Sequence, residues 1–161
     1  MEILIETLYE ERENGNDYIP KKGNDKASCY DVICKEVLKI SPNKIYCKLG
    51  FKSQIPKGYK AVLIPRSNLT KFNWIMNNSP GQVDEDFRGE WQMRFTGIPI
   101  GISRRGDYGT ILGFEYDIFP YKKGDRIGQM YIAPVVPINF VAIGTVDKTE
   151  RGTGGYGSTG L

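Results

Sequence analysis

The chain has 161 residues, enough for one domain with a real core, and 25% charged residues balanced to a net charge of +3, which gives no electrostatic argument for a nucleic-acid partner. It has no histidine, which excludes Ser-His-Asp and Cys-His nucleophile pairs, histidine general bases and HExxH zinc sites. Its three cysteines, Cys29, Cys34 and Cys47, are odd in number and lack CxxC spacing, so buried free thiols in a reducing compartment are expected.

No apolar run approaches 18 residues and no signal pattern opens the chain, so the reading is a soluble intracellular protein without membrane contact. The 19 glycines and 9 prolines recur along the whole length and punctuate many short elements. Taken in order, Glu2 to Leu8 is a candidate first strand, and Glu10 to Asp25 is polar and reads as a loop. Ala27 to Cys34 has β character, although Tyr30 to Ile40 has enough apolar spacing for a turn or two of helix.

Lys44 to Leu49 alternates, with Ile45, Cys47 and Leu49 on one side, as a half-buried strand does. Pro56-Lys57-Gly58 is a turn, and Tyr59 to Ile64 is a strand ending at Pro65. Phe72 to Met76 and Trp91 to Ile98 are further strands. Gly101 to Thr110 reads as a glycine-rich loop carrying Arg104 and Arg105, followed by strands at Ile111 to Phe119, Ile127 to Ala133 and Ile138 to Val146. Many short strands with no internal repeat predict an all-β domain, a sandwich, jelly roll or barrel.

Gly81 to Glu90 carries four acids and one base in a chain that is net positive. Its flanking glycines and its apolar Val83 and Phe87 suit a β-hairpin; taken alone, such a stretch is a solvated acidic turn. Arg66 and Ser67 leave a strand end, where both can donate to phosphate oxygens. Lys123 to Met130 runs from a turn into a strand. Residues 151–161 contain five glycines with Arg151, Tyr156, Ser158 and Thr159. A disordered tail has this composition, and so does an arm whose backbone N–H groups wrap phosphates.

Five segments in order resemble the motifs of the trimeric dUTPase family: Ala27-Ser28-Cys29-Tyr30-Asp31-Val32, Pro65-Arg66-Ser67-Asn68-Leu69, Asn78 through Glu90, Lys123 through Met130, and Arg151 through Gly160. The resemblance implies an all-β jelly roll of the β-clip type, assembled as a homotrimer. Residues 1–150 would form the domain and 151–161 a mobile C-terminal arm. It implies hydrolysis of dUTP to dUMP and pyrophosphate by water attack on the α-phosphorus. That reaction limits uracil in DNA and supplies dUMP for thymidylate synthesis.

By the same resemblance, Asp84 is the catalytic carboxylate that orients and helps deprotonate the water and contacts the 3′-hydroxyl. Asn78 and the backbone of Gly81 and Val83 take the uracil, and Phe87, where the family usually has tyrosine, packs on the deoxyribose. Arg66, Ser67 and Gln129 hold the triphosphate, with Asn68 in place of a second serine. Arg151, Gly157, Ser158 and Thr159 belong to the phosphate-binding arm, and Tyr156 stacks on the base. Asp31 associates with Mg2+ indirectly, through water, and Cys29 stands where a glycine is usual.

Asp84 and Arg126 are 42 positions apart, longer than the family's usual spacing. The extra length falls at about 97–121, as an inserted hairpin of the kind found on phage-like members. It is either a tolerated surface insertion or a contact for a regulatory protein. The expected location is the cytoplasm, the host's if the chain is phage-encoded. Two other readings remain open on sequence: a dCTP deaminase-like enzyme, and a nucleotide-sensing module that docks a regulatory partner.

Overall fold

The computed structural model describes residues 3–10, 18–105 and 110–155. Thirteen strands and one short 3₁₀ turn make up its regular structure. The strands are β1 (Glu6–Tyr9), β2 (Lys21–Lys22), β3 (Tyr30–Ile33), β4 (Glu36–Ser41), β5 (Lys44–Lys48), β6 (Phe51–Gln54) and β7 (Tyr59–Pro65). After the 3₁₀ turn Ser67–Lys71 come β8 (Trp74–Met76), β9 (Gly81–Val83), β10 (Gln92–Gly97), β11 (Pro99–Arg105), β12 (Thr110–Tyr116) and β13 (Arg126–Pro134).

Two sheets carry the domain. One has the order β2-β3-β13-β7-β9, the other β4-β5-β10-β8. The pair β1-β6 and the hairpin β11-β12 stand beside them. Every pairing is antiparallel, so alternate residues face the interior. On β5 these are Ile45 and Cys47, on β6 Phe51 and Ser53, and on β10 Met93 and Phe95. The inward residues of both main sheets, with Val32, Leu63, Trp74 and Ile127, make one apolar core.

Aromatic contacts knit that core. Phe51 and Trp91 lie 4.9 Å apart between centroids, and Phe95 lies 5.2 Å from Phe119 and 5.9 Å from Tyr121. The Trp91 indole N–H is buried without an acceptor among the described residues. Among the described residues, no helix is long and apolar enough to cross a membrane.

Three sequence expectations are corrected. Tyr30 to Ile40 is not helical but forms β3 and β4, because Val32 and Val37 pair across to Gly128 and Cys47. A β-branched residue favours such pairing over a helix turn. The stretch expected as a loop from Gly101 is strand through Arg105, paired to β12 across two irregular steps. Ile138 to Val146 has no strand partner among the described residues, and Ile138, Phe140 and Val141 are all more than 70% exposed. Apolar alternation identifies a segment able to pair, but a partner strand must exist for it to do so.

Candidate active site

The acidic hairpin is built on β7. Gly81, Gln82 and Val83 pair with Leu63, Val62 and Ala61, which fixes where the chain turns at Asp84. A Cβ on Gly81 would come within 2.9 Å of the Asn78 carbonyl oxygen, so only glycine allows this close approach. The turn closes with the Phe87 N–H donating to the Asp84 carbonyl at 3.2 Å. Arg88 Nη1 then donates to the carbonyls of Glu85 and Phe87, at 2.7 and 3.0 Å.

Two acids of this stretch hold it to the rest of the fold. Glu85 accepts from the Gly58 N–H at 2.6 Å, and Glu90 from the Gly50 N–H at 3.0 Å. Both glycines sit at positive φ (80° and 75°), where their N–H groups turn away from the strand ladders. The sequence reading gave these acids no role; the distant turns they pin were not visible in it.

Beside the hairpin lies a cavity of about 320 Å³. It is lined by the expected Asn78, Gly81, Val83, Asp84 and Phe87, joined by Leu63, Gln82, Glu90, Trp91, Gln92 and Arg94. The Asp84 side chain is exposed and makes no hydrogen bond or ion pair with another described residue, leaving it available as a base. Phe87 is 44% exposed, which for a large apolar ring beside a cavity leaves a face for a ligand.

Asn78 is partly committed. Its Nδ2 donates to the Gln92 carbonyl at 3.3 Å and its Oδ1 accepts from the Arg94 N–H at 2.9 Å. One amide hydrogen and one lone pair remain for a ligand. Its first task here is to splice the 77–80 segment onto β10.

A second group gathers around Asp31. This carboxylate is only 8% exposed. Arg126 Nη1 donates to Oδ2 at 3.1 Å, Gln129 Nε2 donates to Oδ1 at 3.3 Å, and Arg66 Nε lies 3.7 Å from Oδ1. Arg66 also donates from Nη1 to the Arg126 carbonyl at 3.2 Å. The β3–β13 register sets Asp31 directly across from Gln129, which is why residues 98 positions apart meet.

Ser67 stands exposed at the start of the 3₁₀ turn, next to Asn68, whose Oδ1 accepts from the Tyr121 hydroxyl at 3.0 Å. Burial pushes the Tyr121 phenol upward, with Arg66 opposing in part. The cluster is thus one carboxylate among several donors, an arrangement that accepts phosphate oxygens. Arg126 and Tyr121 were not singled out from sequence. Arg126 lies within the fourth motif, three positions before Gln129, and that place was the available signal.

No group of three metal-ligating acids, cysteines or histidines occurs among the described residues. Asp31 has both oxygens engaged, so it would meet a cation through water. That donor set fits magnesium carried by substrate phosphates and unsuited to an all-protein cage.

Asp84 and the Asp31 cluster are far apart within one chain. Val83 faces Ala61, so Asp84 stands level with Lys60, whereas Arg66 follows the far end of β7. Six residues of extended chain separate those levels, roughly 20 Å at ~3.3 Å per residue. A nucleotide is shorter than that from sugar to terminal phosphate.

Arg151 is exposed and donates from Nε to the Gly154 carbonyl at 2.8 Å, within its own turn, joining neither group. Tyr156, Gly157, Ser158 and Thr159 lie outside the described residues. Cys29 is partly buried, whereas Cys34 and Cys47 are buried. The Cys47 thiol is raised by its hydrogen bond to Cys34 and by burial, as expected for inert structural thiols.

Residues 16–98 match the dUTPase family. The deoxyuridine 5′-triphosphate nucleotidohydrolase of Picosynechococcus sp. is 34% identical, covering 90% of this chain and 92% of that protein. The enzyme of the same name from Hydrogenobaculum sp. is 32% identical, covering 100% and 99%. The fold is similar to that of the Staphylococcus bacteriophage 80alpha dUTPase bound to dUPNHPP, with a TM-score of 0.72 and 20% identity over 98% of this chain and 99% of that one. It is also similar to a mutant dUTPase of phage phi11 of S. aureus, which coordinates a structural Mg(II) ion, with a TM-score of 0.63 and 19% identity over 89% and 98%. The family match over more than half of the chain and the relatives above 30% identity place it: the chain belongs to the dUTPase family.

Proposed function

We propose that this chain hydrolyses dUTP to dUMP and pyrophosphate. The observation that carries the reading is the cavity in which an unpaired Asp84 carboxylate and the Phe87 ring share one wall. Uracil enters along Gly81 and Val83, where backbone groups and the remaining polar capacity of Asn78 match its edge. Phe87 lies against the deoxyribose and offers a 2′-hydroxyl no partner, which disfavours UTP. Asp84 holds a water and takes its proton as the water attacks the α-phosphorus.

Arg66, Ser67, Asn68 and Gln129 receive the triphosphate. Their donors offset charge that grows on the pyrophosphate as the bond to the α-phosphorus breaks. Asp31 keeps Arg66, Arg126 and Gln129 in place and would meet magnesium indirectly, through water. When bound, Mg2+ supplies charge neutralisation on the leaving pyrophosphate. Residues 151–161 then close over the nucleotide, with Tyr156 on the base and Arg151, Gly157, Ser158 and Thr159 on the phosphates.

The separation between Asp84 and the Asp31 cluster supports a homotrimer in which each site joins the Asp84 hairpin of one copy to the cluster of another. The exposed apolar segment from Val135 to Val146 fits an arm covered by a neighbouring copy. A free nucleotide substrate and a reducing environment for three free thiols suit the cytoplasm.

A regulatory partner is a second reading, supported by the inserted hairpin. Ile102 faces Phe114 across β11 and β12, and both are about half exposed, as are Ile100 and Leu112. Such a contiguous exposed apolar face suits a protein contact.

The test is pyrophosphate release from dUTP, dCTP, dTTP and UTP, with and without magnesium. Release from dUTP alone, dependent on magnesium, is expected. Ammonia from dCTP would favour the deaminase-like alternative, and no turnover of any nucleotide would favour a docking module.

A further inference from the structure

Asn68 stands where a hydroxyl is usual, and an amide has a problem that a hydroxyl lacks. A serine hydroxyl rotates to donate. An amide presents either its NH₂, which binds phosphate, or its oxygen, which repels it. Something must fix which end faces the anion.

The structure supplies one group that does so. The Tyr121 hydroxyl donates to Asn68 Oδ1 at 3.0 Å, and Tyr121 is 8% exposed. Its ring is packed 5.6 Å from Phe119 and 5.9 Å from Phe95, so the hydroxyl has little freedom to leave. With its oxygen occupied, the amide turns its NH₂ the other way, and no described residue accepts from that nitrogen. Arg66, two residues earlier, already faces the same donor cluster.

We propose that Tyr121 is a positioning residue for the triphosphate: it holds the Asn68 amide so that its two N–H donors face the phosphate oxygens. This rests on the dUTPase reading of the Asp31 cluster. Tyr121 also ends the inserted segment, whose return strand is tied to the fold by Asp117. The Asp117 carboxylate accepts from Asn73 Nδ2 at 2.6 Å, and its carbonyl accepts from Trp74 Nε1 at 3.1 Å. The insertion therefore delivers a side chain to the phosphate group as well as an exposed hairpin.

A double-variant cycle tests the assignment. Tyr121→Phe keeps the ring and removes the donor. It should raise KM for dUTP by about 3–10-fold, the value of one hydrogen bond, with kcat little changed. Inhibition by inorganic pyrophosphate should weaken in parallel, while inhibition by deoxyuridine stays the same. In an Asn68→Ser background, where a hydroxyl orients itself, Tyr121→Phe should shift KM by less than about twofold.

Equal shifts in both backgrounds would mean that Tyr121 acts through packing, and no shift in either would mean that it does not act on the site; both overturn the proposal. The underlying enzyme reading fails separately, if the unaltered protein releases no pyrophosphate from dUTP.

Discussion

If each site combines two copies, two inactive variants should restore one another. Asp84→Asn removes the base, costing about 10²–10⁴-fold. Arg66→Ala removes a phosphate donor, costing about 10²–10³-fold in kcat. Each pure variant should therefore run at about 1% of normal activity or below. In trimers refolded from an equal mixture, a site works when its Asp84 hairpin comes from the Arg66→Ala copy and its cluster from the Asp84→Asn copy. For random assembly about a quarter of sites meet that condition, so activity should recover to about 25% of normal, at least 25-fold over either parent.

The assay is pyrophosphate release, with hybrid assembly verified by differently tagged copies. Both variants are mild structurally: Asp84 is exposed and unpaired, and Arg66 is partly exposed with its carboxylate neighbour also bound by Arg126. Verified hybrids that show only the average of the two parents would refute the shared site. A protein that sediments as a monomer at full activity would refute it as well.

Asp84→Asn alone should keep dUTP affinity within a few-fold while abolishing turnover, as measured by calorimetry and pyrophosphate release. Gly89→Ala would place a Cβ 2.5 Å from Phe87 Cζ and displace the ring. Preference for dUTP over UTP should then fall by up to about 10²-fold, read from the ratio of kcat/KM values. Deleting residues 151–161 should cripple turnover and leave the oligomer unchanged by light scattering; normal turnover would remove the arm from the mechanism. In native thiol titration Cys29 should react first, and Cys34 and Cys47 only on unfolding, because both are buried and the Cys47 thiol is raised by Cys34 and burial.

The sequence by itself determined the class of fold, since the alternation in Lys44 to Leu49 survives as β5 with Ile45 and Cys47 inward, and the strand expected over Trp91 to Ile98 is β10. It also marked a local segment whose residues come together, because Gly81, Asp84 and Phe87 line one cavity through adjacent backbone geometry. Residues whose roles depend on long-range register were not legible. Glu85 and Glu90 reach turns 27 and 40 positions away, Arg126 meets Asp31 across 95 positions, and Tyr121 meets Asn68 across 53.

Pairing was the other quantity that sequence left open. Tyr30 to Ile40 could satisfy a helix period or a strand period, and partners on β13 and β5 decided for strand. Ile138 to Val146 has the same apolar character and no strand partner among the described residues. Local composition sets what a segment can do, because side-chain period and charge are properties of adjacent residues. Tertiary structure sets what it does, because a hydrogen bond or a burial needs a second surface. For the acidic hairpin that second surface includes Gly50 and Gly58, whose N–H groups hold Glu90 and Glu85.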